Sequence, residues 1–508
     1  MTNHYADVAP FIPLSATKSQ VFTYHLPLQE NSGKLIGLYQ VVKIPWRGRQ
    51  IKGVILKLHS VKTPFKTKAL IPLKLPPLTP EQVKFAHWIA DTMRGGLGYT
   101  LRLFSPPAGG GVARRLPGGR GGSQSLILTA EKWRADQIFN QLPTTQQASA
   151  AVFHTGQTAK NLNSIWRDVL SGQVKTIIGT QKSLFLPFTK LQQITLDQED
   201  LPTHKLWDQY PHLHNFYAAN ALAAIHSCPV KYTSLLPSLR LENKVTRPKQ
   251  KLPTQIISPT WPDRKSKYPL PTELVEKIRA WQSKRQTILL FANQDTKPIK
   301  HFLMKVLPKG TQVNRVASDK SSRDAGGEVF LATSAIFAAL PEKKYHQIAF
   351  LYPERSLTYP DYRSEERAYH LLYRLASLFT QPTNPVHVIT KNPRLITDKL
   401  LLSPADFYQK QIKARQKLNY PPAADLVLLS ISEKQKNVAL KNALVIRDQI
   451  KPRLSAGIYL RGPFFSFKET QKDQHTCHLL LSGPLEKITP LYKNLPVDRV
   501  DLDPHKIL

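Results

Sequence analysis

ITLDQEDLPTHKLWDQYP, residues Ile194–Pro211, is the stretch on which the reading of this chain turns. Its apolar start stops at Asp197, Gln198, Glu199 and Asp200, so a short strand delivers a group of acidic side chains to its C-terminal end. An ATP-driven motor holds its Mg²⁺ in this way. Such a site also needs a G-x-x-x-x-G-K-[ST] loop, whose backbone N–H groups and lysine cradle the phosphates. The chain contains no such loop. The one Gly-Lys pair ahead of an apolar run is Gly33-Lys34-Leu35, and no hydroxyl follows it.

Outward from this stretch, short apolar runs alternate with helical ones. SLILT, AAVFH, TIIGT and QQITLD form one group, and TILLFA, EVFLAT, QIAFLY and PVHVIT a second. Short apolar strands alternating with helices predict parallel sheets, here two α/β lobes over 125–247 and 248–402 with a Pro-rich seam at Pro248–Pro271. From 403 to 508 helices such as KNVALKNALVIRDQIKPRL alternate with strands such as LVLLSIS and HTCHLLLSG, an α+β pattern.

Residues 1–104 alternate with the strand period in VFTYHL, YQVVKIPW and IKGVILKL, the last two joined by Arg47-Gly48-Arg49. This predicts a small β-barrel or sheet. It carries 14 Lys and Arg against 4 Asp and Glu, an electrostatic reason to meet nucleic acid. In LTPEQVKFAHWIADTMRG, Thr79 as N-cap, Pro80 at the first turn and Gln82 closing a capping box predict a helix ending near Gly95. Residues 105–124, mostly Gly, Pro and Arg, have almost nothing to bury and read as a basic linker.

The whole chain of 508 residues carries 71 Lys and Arg against 35 Asp and Glu, a net charge of +36 that favours a polyanionic partner. Charge alone does not separate DNA from RNA. Cys228 and Cys477 are the only cysteines, too few for a disulfide framework or a cysteine zinc site, and no histidine spacing suits a metal. With no signal-type start and no apolar membrane span, the expectation is a cytoplasmic protein without metal or membrane attachment.

Taken in order along the chain, the fragments resemble the primosomal protein N′ (PriA) family of bacterial replication-restart helicases. VFTYHLP followed by VKIPWRGRQIKGVIL is similar to that family's 3′ DNA-binding domain. VFHTGQ, IIGTQKSLFLPFTKLQQITLDQED, PSLRLE and LTYPDYRSEERAYHLLYRLASLF are similar to its two helicase lobes, and DFYQKQIKARQKLNYPPAADL, RGPFF and VDLDP to its C-terminal domain. The resemblance implies a multidomain α/β protein: a β-rich 3′ DNA-binding domain, two RecA-like lobes and an α+β C-terminal domain.

It also marks departures. The family's D-E-E-H box is Asp197, Gln198, Glu199 and Asp200 here, and an amide at the second position is no general base. The family's arginine-bearing stretch falls on Arg374–Gln381, which puts Leu378 and Gln381 where phosphate-sensing arginines belong. The winged-helix segment is replaced by the linker, and the zinc cysteines are gone. The resemblance therefore implies ATP and Mg²⁺ for the family but a pseudoenzyme here, with Asp197 and Glu199 a vestigial acidic box.

By resemblance, Phe22 and Tyr24 form the pocket for a 3′-terminal nucleotide. Thr23 stands where many relatives carry Asp, and the family's glycine ahead of V-x-V-P falls at Tyr39. Trp46, Arg47 and Arg49 at the hairpin end, with Lys52, suit stacking and phosphate contact. Arg114, Arg115 and Arg120 in the linker suit disordered phosphate contacts. Arg363, Glu366 and Arg367 read as a structural brace on a helix surface. The expected function is recognition of forked or branched DNA and 3′ ends in replication restart and repair, alongside primosome proteins and without ATP turnover. The rival readings are an active 3′–5′ helicase with an unconventional nucleotide site, and an adaptor scaffold for replication proteins.

Overall fold

The computed structural model describes residues 4–14, 20–27, 36–107, 122–206, 211–244, 249–260, 270–316, 327–339, 343–358, 361–465 and 474–505. Its first sheet contains β1 (Tyr5–Pro10), β2 (Phe22–His25), β3 (Val41–Trp46), β4 (Arg49–His59) and β5 (Ile71–Pro72) in the order β2-β1-β4-β3-β5. The segment carrying β5 also bridges β2 through His25 and Ala69, which closes the sheet into a barrel. Alternation in β3 and β4 works as the sequence predicts: Val42, Ile44 and Ile55 fill the interior, together with Ala6 and Val8 of β1, Tyr24 and Leu70.

Helix Pro80–Met93 is closed at its start by the predicted capping box. It ends on Arg94 in the left-handed conformation, one residue before the expected glycine. Its Phe85 and Ile89 share a core with Ala9, Val41 and Val54 of the barrel. Gly98 lies so close to the Pro10 carbonyl that a Cβ would stand 1.9 Å from the oxygen, so only glycine fits there.

The second sheet, β6 (Gln124–Leu128), β7 (Ala150–Phe153), β8 (Thr176–Gly179), β9 (Leu191–Leu196) and β10 (Val230–Tyr232), is parallel in the order β10-β9-β6-β8-β7. The third holds β11 (Thr254–Ile257), β12 (Ile288–Ala292), β13 (Val313–Arg315), β14 (Val329–Ala332), β15 (Gln347–Leu351) and β16 (Val386–Ile389). It too is parallel, in the order β11-β16-β15-β12-β14-β13. Every residue of β12 is buried, as a central parallel strand covered on both faces requires. The fourth sheet is antiparallel: β17 (Asp425–Glu433), β18 (Tyr459–Phe465), β19 (His475–Gly483) and β20 (Arg499–Leu502), ordered β18-β19-β17-β20. The chain is a multidomain α/β protein.

These sheets fall into two units, Met1–Ser234 with Ala424–Pro504, and Leu235–Ala423 with His505–Leu508. In the first unit the barrel, the second sheet and the fourth share one hydrophobic core. A polar tie crosses it: Lys205 is fully buried, and its ammonium donates to the Asp501 carboxylate, to Leu502 O at 2.9 Å and to Asp503 O at 2.7 Å.

Two boundaries differ from the sequence expectation. Helix Pro404–Leu418, grouped by pattern with the last domain, packs in the second unit, where Phe407 stacks on Tyr369 at 3.8 Å. The Tyr408 hydroxyl there donates to Pro237 O at 2.7 Å and meets His370 Nε2 at 2.7 Å. Leu236 and Leu239 enter the same core, so the first lobe ends earlier than residue 247. In both cases tertiary burial, invisible to local periodicity, assigns the segment.

Candidate nucleic-acid interface

The β3–β4 hairpin turns on Arg47 at φ 42° and Gly48 at φ 77°, both positive as a two-residue turn between twisted strands requires. Arg47 and Arg49 are exposed. Trp46 is half-buried and meets Phe22 edge-on, ring centroids 4.7 Å apart, so it props the Phe22 ring. Lys52 is exposed directly across the ladder from Lys43, also exposed. Like charges at opposed positions destabilise a sheet; a bound anion relieves the conflict. Replacing Lys43 and Lys52 with alanine is expected to reduce the slope of log affinity against log salt by about 2, while raising fold stability by ~0.2–1 kcal/mol. Titrations at four salt concentrations and urea unfolding check the two signs.

Along β2, Thr23 faces away from the barrel interior while Phe22 and Tyr24 face it. Tyr24 corrects the expectation: its ring is 6% exposed in the barrel core, its hydroxyl reaches Pro45 O at 3.4 Å, and burial pushes its phenol up. It packs in the barrel core and offers no stacking face to solvent. Thr23 Oγ1 donates to Asp7 Oδ1 at 2.7 Å, and His59 Nε2 lies 3.3 Å from the same oxygen, its ring stacked on Tyr5. Asp7 is the one carboxylate among the described barrel residues. Beside Thr23, the neighbouring strand β1 thus holds a carboxylate. Tyr39 sits at φ 63°, the left-handed conformation natural to glycine. Its N–H donates to Ile55 O at 2.8 Å and its carbonyl accepts from Leu78 N at 3.0 Å, which holds it there at a cost of about 1–2 kcal/mol.

The acidic box lies at the crevice between β6 and β9, where strand order reverses and open α/β sheets take ligands. Here the crevice is spanned. Arg134, on helix Lys132–Gln141, donates from Nε to Asp197 Oδ2 at 2.8 Å and from Nη2 to Oδ1 at 3.3 Å, and Thr233 Oγ1 donates to Oδ1 at 2.9 Å. Both carboxylate oxygens are taken by a forked guanidinium, a geometry that does not suit Asp197 as a divalent-cation ligand. The turn that follows holds Gln198 at φ 50°. Buried His204 fastens it: Asn215 donates to Nδ1 at 3.0 Å, so Nε2 carries the proton, pointing at Asp197 O (2.9 Å) and Gln198 O (3.1 Å). Burial lowers the His204 pKa and keeps the ring neutral. Glu199 is buried as well.

Leu378, at one expected arginine position, is a core residue of the second unit, and Gln381 is exposed. Arg363 and Glu366 are structural, as expected, yet not on a surface: both are buried, and Glu366 pairs with Arg415 at 2.9 Å. Arg367 pairs with Asp361. Arg114, Arg115 and Arg120 lie outside the described residues. Among the described residues no group of three or more His, Cys, Asp and Glu is placed to hold a metal, and no helix is long and apolar enough to cross a membrane. Sequence reasoning passed over Lys43, Asp7 and Arg134. Strand register would have paired Lys43 with Lys52, whereas nothing local joins Arg134 to Asp197.

Residues 11–106 match the family described as the 3′DNA-binding domain (3′BD) of PriA. Replication restart protein PriA of Bacillus subtilis (strain 168) is 22% identical over 472 residues, covering 73% of this chain and 58% of that protein. The protein of the same name from Borreliella burgdorferi is 20% identical over 432 residues, covering 67% of this chain and 64% of its own. The chain thus spans about three-fifths of the length of these curated relatives. The structure of RecG bound to a three-way DNA junction is a further match, with TM-score 0.36 and 12% identity over 57% of this chain and 40% of that one.

Proposed function

We propose, from the premise that this chain belongs to the PriA family, that it is a DNA-binding protein of replication restart which reads branched DNA or 3′ ends without turning over ATP. The observation that carries the reading is a contrast within one chain. The barrel keeps exposed cations around the Phe22–Trp46 pair and a carboxylate beside Thr23. The acidic box, by contrast, has its first carboxylate chelated by Arg134 and no phosphate loop to work with. The half-buried Phe22 ring suits stacking on a terminal base, and Asp7 with Thr23 suits accepting a hydrogen bond from a terminal hydroxyl. Arg47, Arg49, Lys43 and Lys52 suit the phosphates. Such a protein is cytoplasmic, works beside primosome proteins, and needs no metal.

The test is binding to a model fork whose nascent strand ends at the junction in a 3′-hydroxyl, against the same fork ending in a 3′-phosphate. The hydroxyl fork is expected to bind about tenfold more tightly, a difference of one good hydrogen bond plus relief from repulsion between phosphate and Asp7. Phe22→Ala lowers affinity for both forks, and Asp7→Asn narrows the preference. Equal, strongly salt-dependent binding to both forks would replace this reading with the adaptor scaffold. A DNA-stimulated ATPase rate abolished by Asp197→Ala would replace it with the active helicase.

A further inference from the structure

The segment between β4 and β5, VKTPFKTK at Val61–Lys68, lies outside the proposed 3′-end pocket. Its shape is set by bonds to the barrel. Thr63 Oγ1 donates to Phe65 O at 2.9 Å and rounds off the tip. His25 Nδ1 meets Thr67 Oγ1 at 3.2 Å, His25 N donates to Lys68 O at 3.1 Å, and Leu70 N donates to His25 O at 3.2 Å. Leu70 is buried in the barrel and anchors the far end. The loop is therefore pinned along the edge of β2, the strand that carries Phe22 and Thr23.

What this frame presents is unusual for a solvated loop. Phe65 is 60% exposed and Val61 71% exposed, and Phe65 makes no ring contact among the described residues. Lys62, Lys66 and Lys68 are exposed around them, and residues 31–80 contain no Asp or Glu. A single exposed apolar residue needs no explanation. An aromatic ring on a tethered loop, flanked by three cations and no anion, has the composition of a stacking platform with phosphate contacts.

We propose that Val61–Lys68 is a second nucleic-acid contact on the barrel, at which a base of single-stranded DNA stacks on Phe65 while Lys62, Lys66 and Lys68 meet the adjoining phosphates. Stacking uses the face that every base has, so the contact is indifferent to sequence and to how the strand ends. It goes beyond the 3′-end reading and rests on different residues. The two contacts divide the work: one reads the end, the other holds strand that has no end nearby.

A circular single-stranded oligonucleotide carrying one 2-aminopurine separates them, because it has no 3′ terminus. With the full-length chain, the expected result is quenching of 2-aminopurine fluorescence on binding. Phe65→Ala should weaken affinity about tenfold and abolish the quench, Phe65→Tyr should preserve both, and Phe65→Leu should behave as alanine does. Lys62→Ala, Lys66→Ala and Lys68→Ala combined should reduce the salt slope by about 2. Because Phe65 is exposed, unchanged circular dichroism melts are expected for each variant at that position. Wild-type affinity and quenching in Phe65→Ala overturns the proposal, as does full rescue by leucine, which would mark apolar docking without stacking. So does Phe65-dependent flotation with anionic lipid vesicles in place of oligonucleotide binding. Preference for a 3′-hydroxyl on the fork persists in Phe65→Ala, so failure of either contact is read independently of the other.

Discussion

Lys205→Met is expected to destabilise the first unit by about 3–5 kcal/mol, the usual cost of breaking a buried charge pair from one side. The ammonium is fully buried, and it donates to three acceptors at the end of β20 and the residue after it. Methionine fills the space of the side chain but leaves the Asp501 carboxylate, itself only 8% exposed, facing a thioether, with Arg499 Nη2 at 3.8 Å as its remaining cation. Asp501→Asn on the same background removes that stranded charge and is expected to recover about half of the loss. Calorimetry checks both statements. The transition of one unit should fall by roughly 5–8 °C, and the transition of the other should stay in place.

Glu366→Ala is expected to have a comparable effect on the second unit, about 3–5 kcal/mol, since it strands Arg415. The same residue predicts a pH response. Burial alone would raise the Glu366 carboxyl. Arg415, His370, Arg363 and the Leu239 N–H override it and hold the pKa at about 2, against 4.5 for the ordinary group. A depressed folded pKa contributes stability that is complete above about 4.5 and disappears as the pH falls through about 2. The contribution is about 3 kcal/mol, at 1.36 kcal/mol per pH unit. Urea midpoints between pH 6 and pH 2 should fall for the parent and stay flatter for Glu366→Gln over the same window. A parallel fall in both would remove Glu366 from the explanation.

The sequence was most legible where one local rule sufficed. Thr79, Pro80 and Gln82 specify a capping box that forms, β3 alternates as its pattern says, and β12 is an unbroken apolar run because both its faces are covered. It was less legible where partners are remote. Helix Pro404–Leu418 has a pattern compatible with either neighbour, and the stack of Phe407 on Tyr369 settles its place. Tyr24 lies on a strand with Phe22, and spacing by two cannot tell an outward platform from an inward core residue. Its register opposite Ala6, an interior residue of β1, is what turns it inward. At the acidic box, the missing lysine and glycines are visible as absences, but the guanidinium now bound to Asp197 comes from a helix 63 residues earlier, in an otherwise unremarked KWRADQ.

The route of the chain through its two units also sets an order in time. The first unit is interrupted after Ser234 and resumes at Ala424, so its core and the cradle for Lys205 wait for residues 424–504. During synthesis at roughly 5–20 residues per second, that interval lasts on the order of ten seconds to a minute. Residues 235–423, contiguous but for the last few at the C-terminus, emerge meanwhile and can complete their own sheet first. Until β20 arrives, a lysine destined for the interior keeps its charge in water. A ribosome stalled shortly before Asp501 would therefore carry a finished insert between two halves of an unfinished host, a protease-sensitive state that passes once the last strand adds.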